Sequence, residues 1–449
     1  MDCRAWLTST FSFTTDIFGV IVIYITQSGE SKMEEEIIDS SFFSDDLDDK
    51  GSNEGIKTGF ENSFKDTQIG SITTVVEPVS SRASLDVILE MFEQQPELTA
   101  VPIEEDDAVI GVVERDTVTK NQGSGLNKLF SSKTCGDYVK HCPFTLNTRD
   151  FIEKVAAKVN DSAIQVETKH LIVLINNRSF YGIMSIAKMN KRLEEIRQQD
   201  LEKAEEIQQN MLKKNSDTKK FVFDVCIWNK MANAVGGDYY IAKELYDGRY
   251  VIASFDVSGK NVSAALLTVT LGSIFSMLAV QDASKLSPGK LVQMLDLFLQ
   301  EIVPVGNFVT GAICYVDYKA QTIYLYNCGH TNVYAFLPDE TGKIKVATLK
   351  PTLPPFGMGA VAEAISGSEK GPYKMPVKPG LQIDLYSDGF TDLMNYDGER
   401  YEEARAKAFF GDLFKTDVYS ATKAIEKNVT DWTQNSLLPD DITVMNIRL

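Results

Sequence analysis

The chain has 449 residues, of which 43% are hydrophobic and 24% charged, so it has apolar material for more than one core and is neither collagen-like nor wholly disordered. Its 63 acidic residues outnumber 45 Lys and Arg, and the formal net charge of −18 argues against general DNA or RNA binding, which rests on clustered basic residues. Six scattered cysteines without a CxxC pair, and three histidines, argue against a zinc cluster and indicate buried thiols in a reducing, cytoplasmic compartment.

The first predicted segment, residues 1–32, is apolar at its centre. Its uninterrupted run, residues 17–25 (IFGVIVIYI), is shorter than the ~20 apolar residues that a membrane-spanning helix needs. We therefore expect a cytoplasmic chain, and membrane anchoring by residues 5–25 or a true start at Met33 are the alternatives. Residues 33–70 are acidic and serine-rich without sustained periodicity, which predicts a disordered tail.

Residues 71–189 predict an α/β region made of two similar halves. In the first half, apolar residues recur at helical spacing from Leu85 to Phe92 and are followed by two short strands, Ala100–Ile103 and Ala108–Val113. The second half repeats this order, with a helix near residues 151–159 and strands at 164–166, 171–175 and 180–186.

The phrase AVPIEEDDAVIGVVERDTV in the first half resembles a CBS module, and the second half resembles it more weakly. This resemblance implies a CBS-pair-like sensor that binds an adenine nucleotide between its modules, with Asp116 at the ribose. Ala187 or Lys188 stands near the equivalent place in the second half, so a second nucleotide site is in doubt. The alternative is a structural or dimerisation domain without a ligand.

Residues 190–215 predict a linker helix, because they are rich in Glu, Lys, Arg and Gln and contain neither Gly nor Pro. Their apolar residues follow a period near 3.6 and form one straight stripe. We expect the stripe to pack on a second chain, which makes a homodimer, or alternatively on the adjoining domain. The stripe consists of Leu193, Ile196, Leu201, Ala204, Ile207 and Met211.

Residues 219–449 predict a different architecture, in which many strands are interspersed with helices. Such a pattern is typical of a sheet sandwich flanked by helices, so the fold class is α+β. The predicted strands are Phe221–Trp228, Tyr250–Val257, Phe308–Val316, Thr322–Asn327, Leu381–Ser387 and Ile442–Ile447. The predicted helices are Ser263–Val280, Pro288–Val303 and Tyr419–Trp432.

Four acidic motifs lie where the predicted strands begin or end. Carboxylates gathered at strand ends repel one another unless cations neutralise them, and hard divalent ions such as Mg²⁺ and Mn²⁺ prefer oxygen ligands. A single Asp-Gly pair is a common turn signal, but four such motifs in order indicate a metal site. The motifs are GGDY at 236–239, DVSG at 256–259, SDG at 387–389 and DDIT at 440–443.

Residues 200–449 resemble the SpoIIE/RsbU-type branch of the metal-dependent (PPM) serine/threonine protein phosphatases. The matching phrases are KAEEIQQNML, AVGGDYY, ASFDVSGKNVSAALLTVTL, FVTGAICYVD, NCGHTNVYAF, PFGM, LYSDGFTD and PDDITVM. The resemblance implies an α-β-β-α sandwich with a centre of two Mn²⁺ or Mg²⁺ ions. It also implies hydrolysis of phosphoserine or phosphothreonine on a signalling partner, such as a STAS-type anti-anti-sigma regulator.

The resemblance assigns the metal ligands residue by residue. Asp256 matches the carboxylate that bridges both ions, and the backbone carbonyl of Val257 matches its neighbour. Asp238, Asp388 and Asp440 match the remaining carboxylates. Asp441 is the weaker candidate at its end of the sheet.

One departure from the family pattern follows the motif at Asp256, where Lys260-Asn261 replaces the usual His-Gly. Lys260 offers a cation to the substrate phosphate or is a solvated turn residue, and both readings stay open. His330 matches a structural feature of the family rather than a catalytic group. The alternatives to an enzyme are a non-catalytic scaffold that keeps the phosphatase fold and a nucleotide-sensing module whose C-terminal half only relays its state.

Overall fold

The computed structural model describes residues 64–122, 134–161, 166–219, 221–246, 248–259, 262–280, 286–366, 371–434 and 436–449. The apolar segment 1–32, the acidic stretch up to residue 63 and Lys260 lie outside the described residues. Among the residues that are described, no helix combines the length and the apolar character needed to cross a membrane.

The first half of the N-terminal region is a four-stranded sheet with two helices. Its elements are β1 Val79–Ser80, α1 Leu85–Gln94, β2 Ala100–Glu105, β3 Ala108–Glu114, α2 Arg115–Gln122 and β4 Lys140–His141. Helix α1 begins where the side chain of Ser84 accepts the Asp86 N–H (3.3 Å). Its buried face, Ile88 and Phe92, packs against Ile103 of the sheet, as the spacing predicts.

The second half repeats the pairing of the first. Its elements are β5 Thr145–Asn147, α3 Ile152–Val159, β6 His170–Ile175 and β7 Ser179–Ser185. In each half a short strand runs parallel to the first strand of an antiparallel hairpin. The hairpin turns contain Asp106-Asp107 and Asn176-Asn177, all at positive φ, which Asp and Asn tolerate better than other side chains.

Two boundaries differ from those predicted. Residues 64–70, which the sequence assigns to the disordered tail, belong to the folded region, because Ile69 is fully buried and Phe64 packs edge-on against Tyr181. Acidic neighbours mask this short apolar segment in the sequence. The predicted strand at 164–166 falls mostly outside the described residues, and its last residue is not in a strand.

Helix α4, Ile186–Lys214, connects the two regions and starts four residues earlier than predicted. Near its start Met189 and Leu193 lie in the core of the second half, and near its end Leu212 lies in the core of the C-terminal region. The apolar stripe is thus covered at both ends by this chain, since Leu193 belongs to it and Met211, its last member, lies against Gly272. Between them Ile207 is 58% exposed.

The C-terminal region is a sandwich of two antiparallel five-stranded sheets. The strands are β8 Asp224–Lys230, β9 Asp238–Tyr246, β10 Arg249–Val257, β11 Val309–Asp317, β12 Thr322–Cys328, β13 Val333–Pro338, β14 Ile344–Leu349, β15 Tyr373–Pro376, β16 Gln382–Tyr386 and β17 Ile442–Arg448. One sheet has the order β15-β12-β11-β10-β9 and the other β14-β13-β16-β17-β8. All six predicted strands are present, whereas β9, β13, β14 and β15 were not predicted.

Helices cover both outer faces of the sandwich, so the layers follow the expected α-β-β-α order. The helices are α5 Val262–Val280, α6 Pro288–Ile302, α7 Ala360–Ser366, α8 Asp388–Thr391, α9 Glu402–Leu413 and α10 Val418–Thr433. Phe275 of α5 packs on the first sheet, and Phe410 of α9 and Ile425 of α10 pack on the second. A separate apolar core, which includes Ile252 and Ile383, fills the space between the sheets.

A polar network lies under α9 in the second sheet. The carboxylate of Asp384 is fully buried and accepts hydrogen bonds from Asn446 Nδ2 (2.6 Å) and Gln382 Nε2 (2.8 Å). Burial raises the pKa of Asp384 to about 7, although these hydrogen bonds and the nearby charge of Arg448 oppose the rise. The folded protein therefore binds a proton at Asp384 more tightly than the unfolded chain does.

This network predicts a pH-dependent stability. Because the pKa of Asp384 is raised in the folded state, its contribution is fully present below pH ~4 and is lost as the pH rises towards 7. At ~1.4 kcal/mol per pH unit the loss is at most about 4 kcal/mol. The Asp384→Asn variant should therefore lose less stability than wild type between pH 5 and pH 8 in denaturant unfolding. Parallel pH profiles for the two proteins would show that Asp384 is not the titrating group.

Candidate metal centre

Three of the predicted metal carboxylates line one cavity of about 400 Å³ at an end of the sandwich. Asp256 comes from the end of β10, Asp388 follows β16, and Asp440 precedes β17, so both sheets contribute. Val257 and Thr310 also line this cavity. The strand-end positions inferred from the sequence therefore meet in space.

The fourth carboxylate, Asp238, lies beside Asp256. It opens β9 and stands directly opposite Asp256 in the antiparallel pairing of β9 and β10. Asp238 is 2% exposed, and its Oδ2 accepts hydrogen bonds from Ser387 Oγ and Thr443 Oγ1, both at 2.7 Å. Burial, and then the charge of Asp256, raise the pKa of Asp238 well above its ordinary value. A cation placed here would favour the charged form of Asp238 and so oppose both causes of the shift.

Asp388 and Asp440 form a second pair of carboxylates. Burial raises the pKa of Asp388, and the neighbouring charges of Asp392 and Asp440 raise it further, while Arg400 partly offsets them. The guanidinium of Arg400 donates a hydrogen bond to Asp392. The cavity thus collects negative charge that the surrounding side chains neutralise only in part.

Asp441 has a different role in the structure. Its Oδ1 accepts the Ala232 N–H (2.8 Å) and its Oδ2 accepts the Gly237 N–H (2.7 Å), so it holds the loop that leads into Asp238. A Cβ at Gly236 would collide with the same carboxylate, which explains the glycine there. Both oxygens of Asp441 are therefore committed to the backbone.

Gln208 of α4, which the sequence analysis did not single out, clamps the same loop from the other side. It is 2% exposed, its Nε2 donates to Gly236 O (2.8 Å) and Thr268 Oγ1 (2.7 Å), and its Oε1 accepts the Gly236 N–H (3.1 Å). The available sequence signal is its helical spacing of four residues from Ala204 and from Leu212, both on the covered side of α4. A polar residue at a buried helical position indicates a specific partner.

The Gln208→Ala variant should weaken metal binding and lower turnover by roughly 10- to 100-fold, the range measured for residues that orient metal ligands indirectly. It leaves the backbone groups of Gly236 without their buried partners, at a cost of about 1–3 kcal/mol. Isothermal titration calorimetry with Mn²⁺ measures the change in metal affinity. Gln209→Ala, one residue along the same helix, is the matched control and should behave as wild type. Equal metal affinity in the two variants would contradict the positioning role.

His330 also lines the cavity, where two hydrogen-bond contacts hold it in place. Its ring Nδ1 lies 2.9 Å from Thr310 Oγ1, its backbone N–H donates to Asn327 Oδ1 (3.0 Å), and the residue is 5% exposed. Burial lowers the pKa of His330 to about 4, so the ring is neutral at pH 7. Thr310, its hydrogen-bond partner, stands opposite Asp256 in the sheet.

Asp116 lies in a separate cavity of about 450 Å³ between the two N-terminal halves, where Lys169 Nζ is 2.5 Å from its Oδ2. Beside it Glu114 receives hydrogen bonds from Lys140 Nζ (2.7 Å) and from the second half through Lys169 N and His170 Nδ1. Burial opposes ionisation of Glu114, but these partners lower its pKa to about 2. The cavity is therefore lined by charged groups from both halves and by the first turn of α4.

The donor set at the sandwich cavity fits a hard divalent cation, since all of its predicted ligands are carboxylate or carbonyl oxygens. The described part of the chain contains no ready-made cluster of three or more His, Cys, Asp or Glu side chains around one metal position. The carboxylates instead form the two pairs described above, which face one cavity. Neither pair includes a Cys or His donor of the kind that selects zinc.

Comparison with known proteins gives matches to parts of the chain. Residues 246–449 match the family model described as "Stage II sporulation protein E (SpoIIE)". The chain is 30% identical over 200 residues to "Phosphoserine phosphatase RsbP" of Bacillus subtilis (strain 168), which is 43% of this chain and 45% of that protein. The chain thus spans about half the length of this curated relative.

Two solved structures align with parts of this chain. The SiaA-PP2C domain of Pseudomonas aeruginosa has a TM-score of 0.49 and 20% identity, over 57% of this chain and 98% of that one. The CBS-pair protein CBSX2 from Arabidopsis thaliana has a TM-score of 0.25 and 19% identity, over 29% of this chain and 96% of that one. The match of residues 246–449 to the SpoIIE family model confirms, over that range, the resemblance inferred from the motifs.

Proposed function

We propose that this protein is a metal-dependent serine/threonine protein phosphatase that binds two Mn²⁺ or Mg²⁺ ions in the sandwich cavity. The observation that carries the proposal is the meeting of Asp256, Asp388 and Asp440 around one cavity, with Asp238 buried beside Asp256. The SpoIIE family match and the similarity to a phosphoserine phosphatase support the same reaction class.

The residues in and beside the cavity have distinct roles. Asp256, the carbonyl of Val257, Asp388, Asp440 and Asp238 would hold the ions. When bound, two such ions supply an activated water and neutralise the phosphoryl oxygens of the substrate. Because the Ser387 and Thr443 hydroxyls both donate to Oδ2 of Asp238, its Oδ1 is left to face a cation. The loop that carries Asp238 is kept in place from opposite sides by Gln208 and Asp441.

We extend the proposal to the substrate and the input. The substrate is phosphoserine or phosphothreonine on a signalling protein, as for a STAS-type anti-anti-sigma regulator. The N-terminal halves form a CBS-pair-like sensor, and the cavity with Asp116 takes an adenine nucleotide. The exposed Ile207 in the last third of α4 supports a homodimer through this helix, because burial of an apolar side chain is favourable.

The direct test is phosphate release from a phosphoserine peptide by the full chain in the presence of Mn²⁺. We expect multiple turnovers, and we expect addition of AMP or ATP to change the rate if the sensor acts on the catalytic domain. A folded protein that binds Mn²⁺ but releases no phosphate from any phosphopeptide would instead support the non-catalytic scaffold.

A further inference from the structure

The sandwich has a further cavity at the end opposite the candidate metal centre. It has a volume of about 290 Å³, and its lining includes Leu337, Val346, Met375 and Leu381 together with two lysines, Lys345 and Lys378. Leu381 directly precedes β16, whereas Asp388 follows that strand, so the cavity and the candidate metal centre are about 20 Å apart along the chain at ~3.3 Å per residue. A molecule bound here would leave the carboxylates accessible.

Two edge strands border this cavity, which we call the edge groove. Strand β14 is the outermost strand of one sheet and β15 the outermost strand of the other. Strand β14 pairs on one side only, with Lys345 opposite Leu337 and Ala347 opposite Ala335. Its outer row of backbone N–H and C=O groups has no partner strand among the described residues, and such a row is a template for another extended chain.

The edge groove is net basic, although the whole chain carries a net charge of −18, because four nearby lysines outnumber Asp339 and Glu340 of the adjoining β13–β14 turn. Lys378 is exposed and has no ion pair within the described part of the chain, and Lys343 and Lys350 are exposed at the two ends of β14. Lys345 is 76% exposed, and its Nζ is 3.6 Å from Asp339 Oδ2. Asp339 uses its other oxygen to close the β13–β14 turn by accepting the N–H groups of Thr341 and Lys343.

These charges decide between the candidate occupants. Pairing of β14 with β14 of a second copy would bring the lysines of both chains together, and like charges on adjacent strands repel each other. An acidic strand gains from the same lysines. The apolar lining adds a place for one buried side chain between Lys345 and Lys378.

We propose that the edge groove docks an extended acidic segment of a partner protein, which adds to β14 as a further strand. Since every second side chain of a strand points to the same face, the segment has the pattern acidic–x–apolar–x–acidic. The apolar side chain enters the cavity, and the flanking carboxylates meet Lys345 and Lys378. The inference stands independently of the proposed catalytic activity.

The test is binding of a fluorescent peptide made of repeated Glu-Thr-Leu-Thr units, followed by anisotropy at low salt. Reversal of both groove charges, Lys345→Glu with Lys378→Glu, should weaken binding by roughly tenfold or more. The matched control is Lys423→Glu with Lys427→Glu, which makes the same charge change on the exposed face of α10. Hydrogen exchange should also slow at the β14 amides when peptide is bound, because strand addition protects them.

Three results would overturn the proposal. Equal weakening in both double variants would reduce the effect to overall charge. Equal affinity for a peptide with Lys in place of Glu would remove the role of the lysines. Binding of phosphatidylserine vesicles without binding of the peptide would identify a lipid surface instead.

Discussion

Replacement of Asp256 by Asn should lower the rate of phosphopeptide hydrolysis by at least roughly 100-fold. Asp256 stands opposite Asp238 in the sheet and lines the same cavity as Asp388 and Asp440. It therefore connects the two pairs of carboxylates. A direct metal ligand should matter more than the outer residues whose loss costs 10- to 100-fold. Steady-state release of phosphate at saturating Mn²⁺ measures the effect.

The same variant should keep its fold. Removal of one charge next to the buried Asp238 relieves repulsion in the metal-free protein. We therefore expect metal-free Asp256→Asn to melt no lower than metal-free wild type, and Asp388→Asn to behave alike. Asp224→Asn, an exposed change at the start of β8, is the control for loss of an acid in general and should retain activity. Near wild-type turnover by Asp256→Asn would show that the ligand assignment is wrong.

Chelation should abolish activity reversibly. After EDTA treatment and its removal, Mn²⁺ or Mg²⁺ should restore phosphate release, whereas Zn²⁺ should be a poor substitute at a site of oxygen ligands alone. Binding also stabilises the fold, by about 2.7 kcal/mol when free Mn²⁺ is about 100 times its Kd. The shift in Tm on Mn²⁺ addition measures this without reference to turnover.

The chelation experiment has a clear negative result. Asp256→Asn should show a smaller Mn²⁺-dependent rise in Tm than wild type, because a ligand is missing. Full activity after exhaustive chelation, or identical Mn²⁺ shifts in the two proteins, would exclude the carboxylate cavity as the metal centre.

The candidate metal site could be predicted from the sequence because its acidic residues stand beside turn residues at strand ends. Asp256 ends an apolar strand and is followed closely by Gly259, and Asp388 comes just before Gly389. Gly389 also has a packing reason, since a Cβ there would collide with the backbone of Asp441. Local pattern and long-range geometry therefore agree at these positions.

Other features had no local signal. Edge strands β14 and β15 are short, largely exposed and carry Lys or Pro, as unpaired edges often do, so neither shows the apolar run of a buried strand. Helix α4 follows β7 without a loop, and its N-cap residue Ser185 makes no side-chain capping hydrogen bond. The start predicted from the sequence is therefore four residues too late. The contact of Gln208 with Gly236 joins residues 28 positions apart and depends on tertiary packing.

The unbroken course of α4 imposes a rule on its length. Each residue added to an α-helix turns everything beyond it by about 100° and moves it about 1.5 Å. Two residues inserted after Glu202 would turn Gln208, together with the sandwich it contacts, by about 200° relative to Leu193 and the N-terminal halves, whereas seven would return them to within about 20°. Insertions and deletions close to a whole number of helical turns therefore preserve the relative orientation of the elements at the two ends of α4, and others change it. The number of residues in this helix matters as much as its composition.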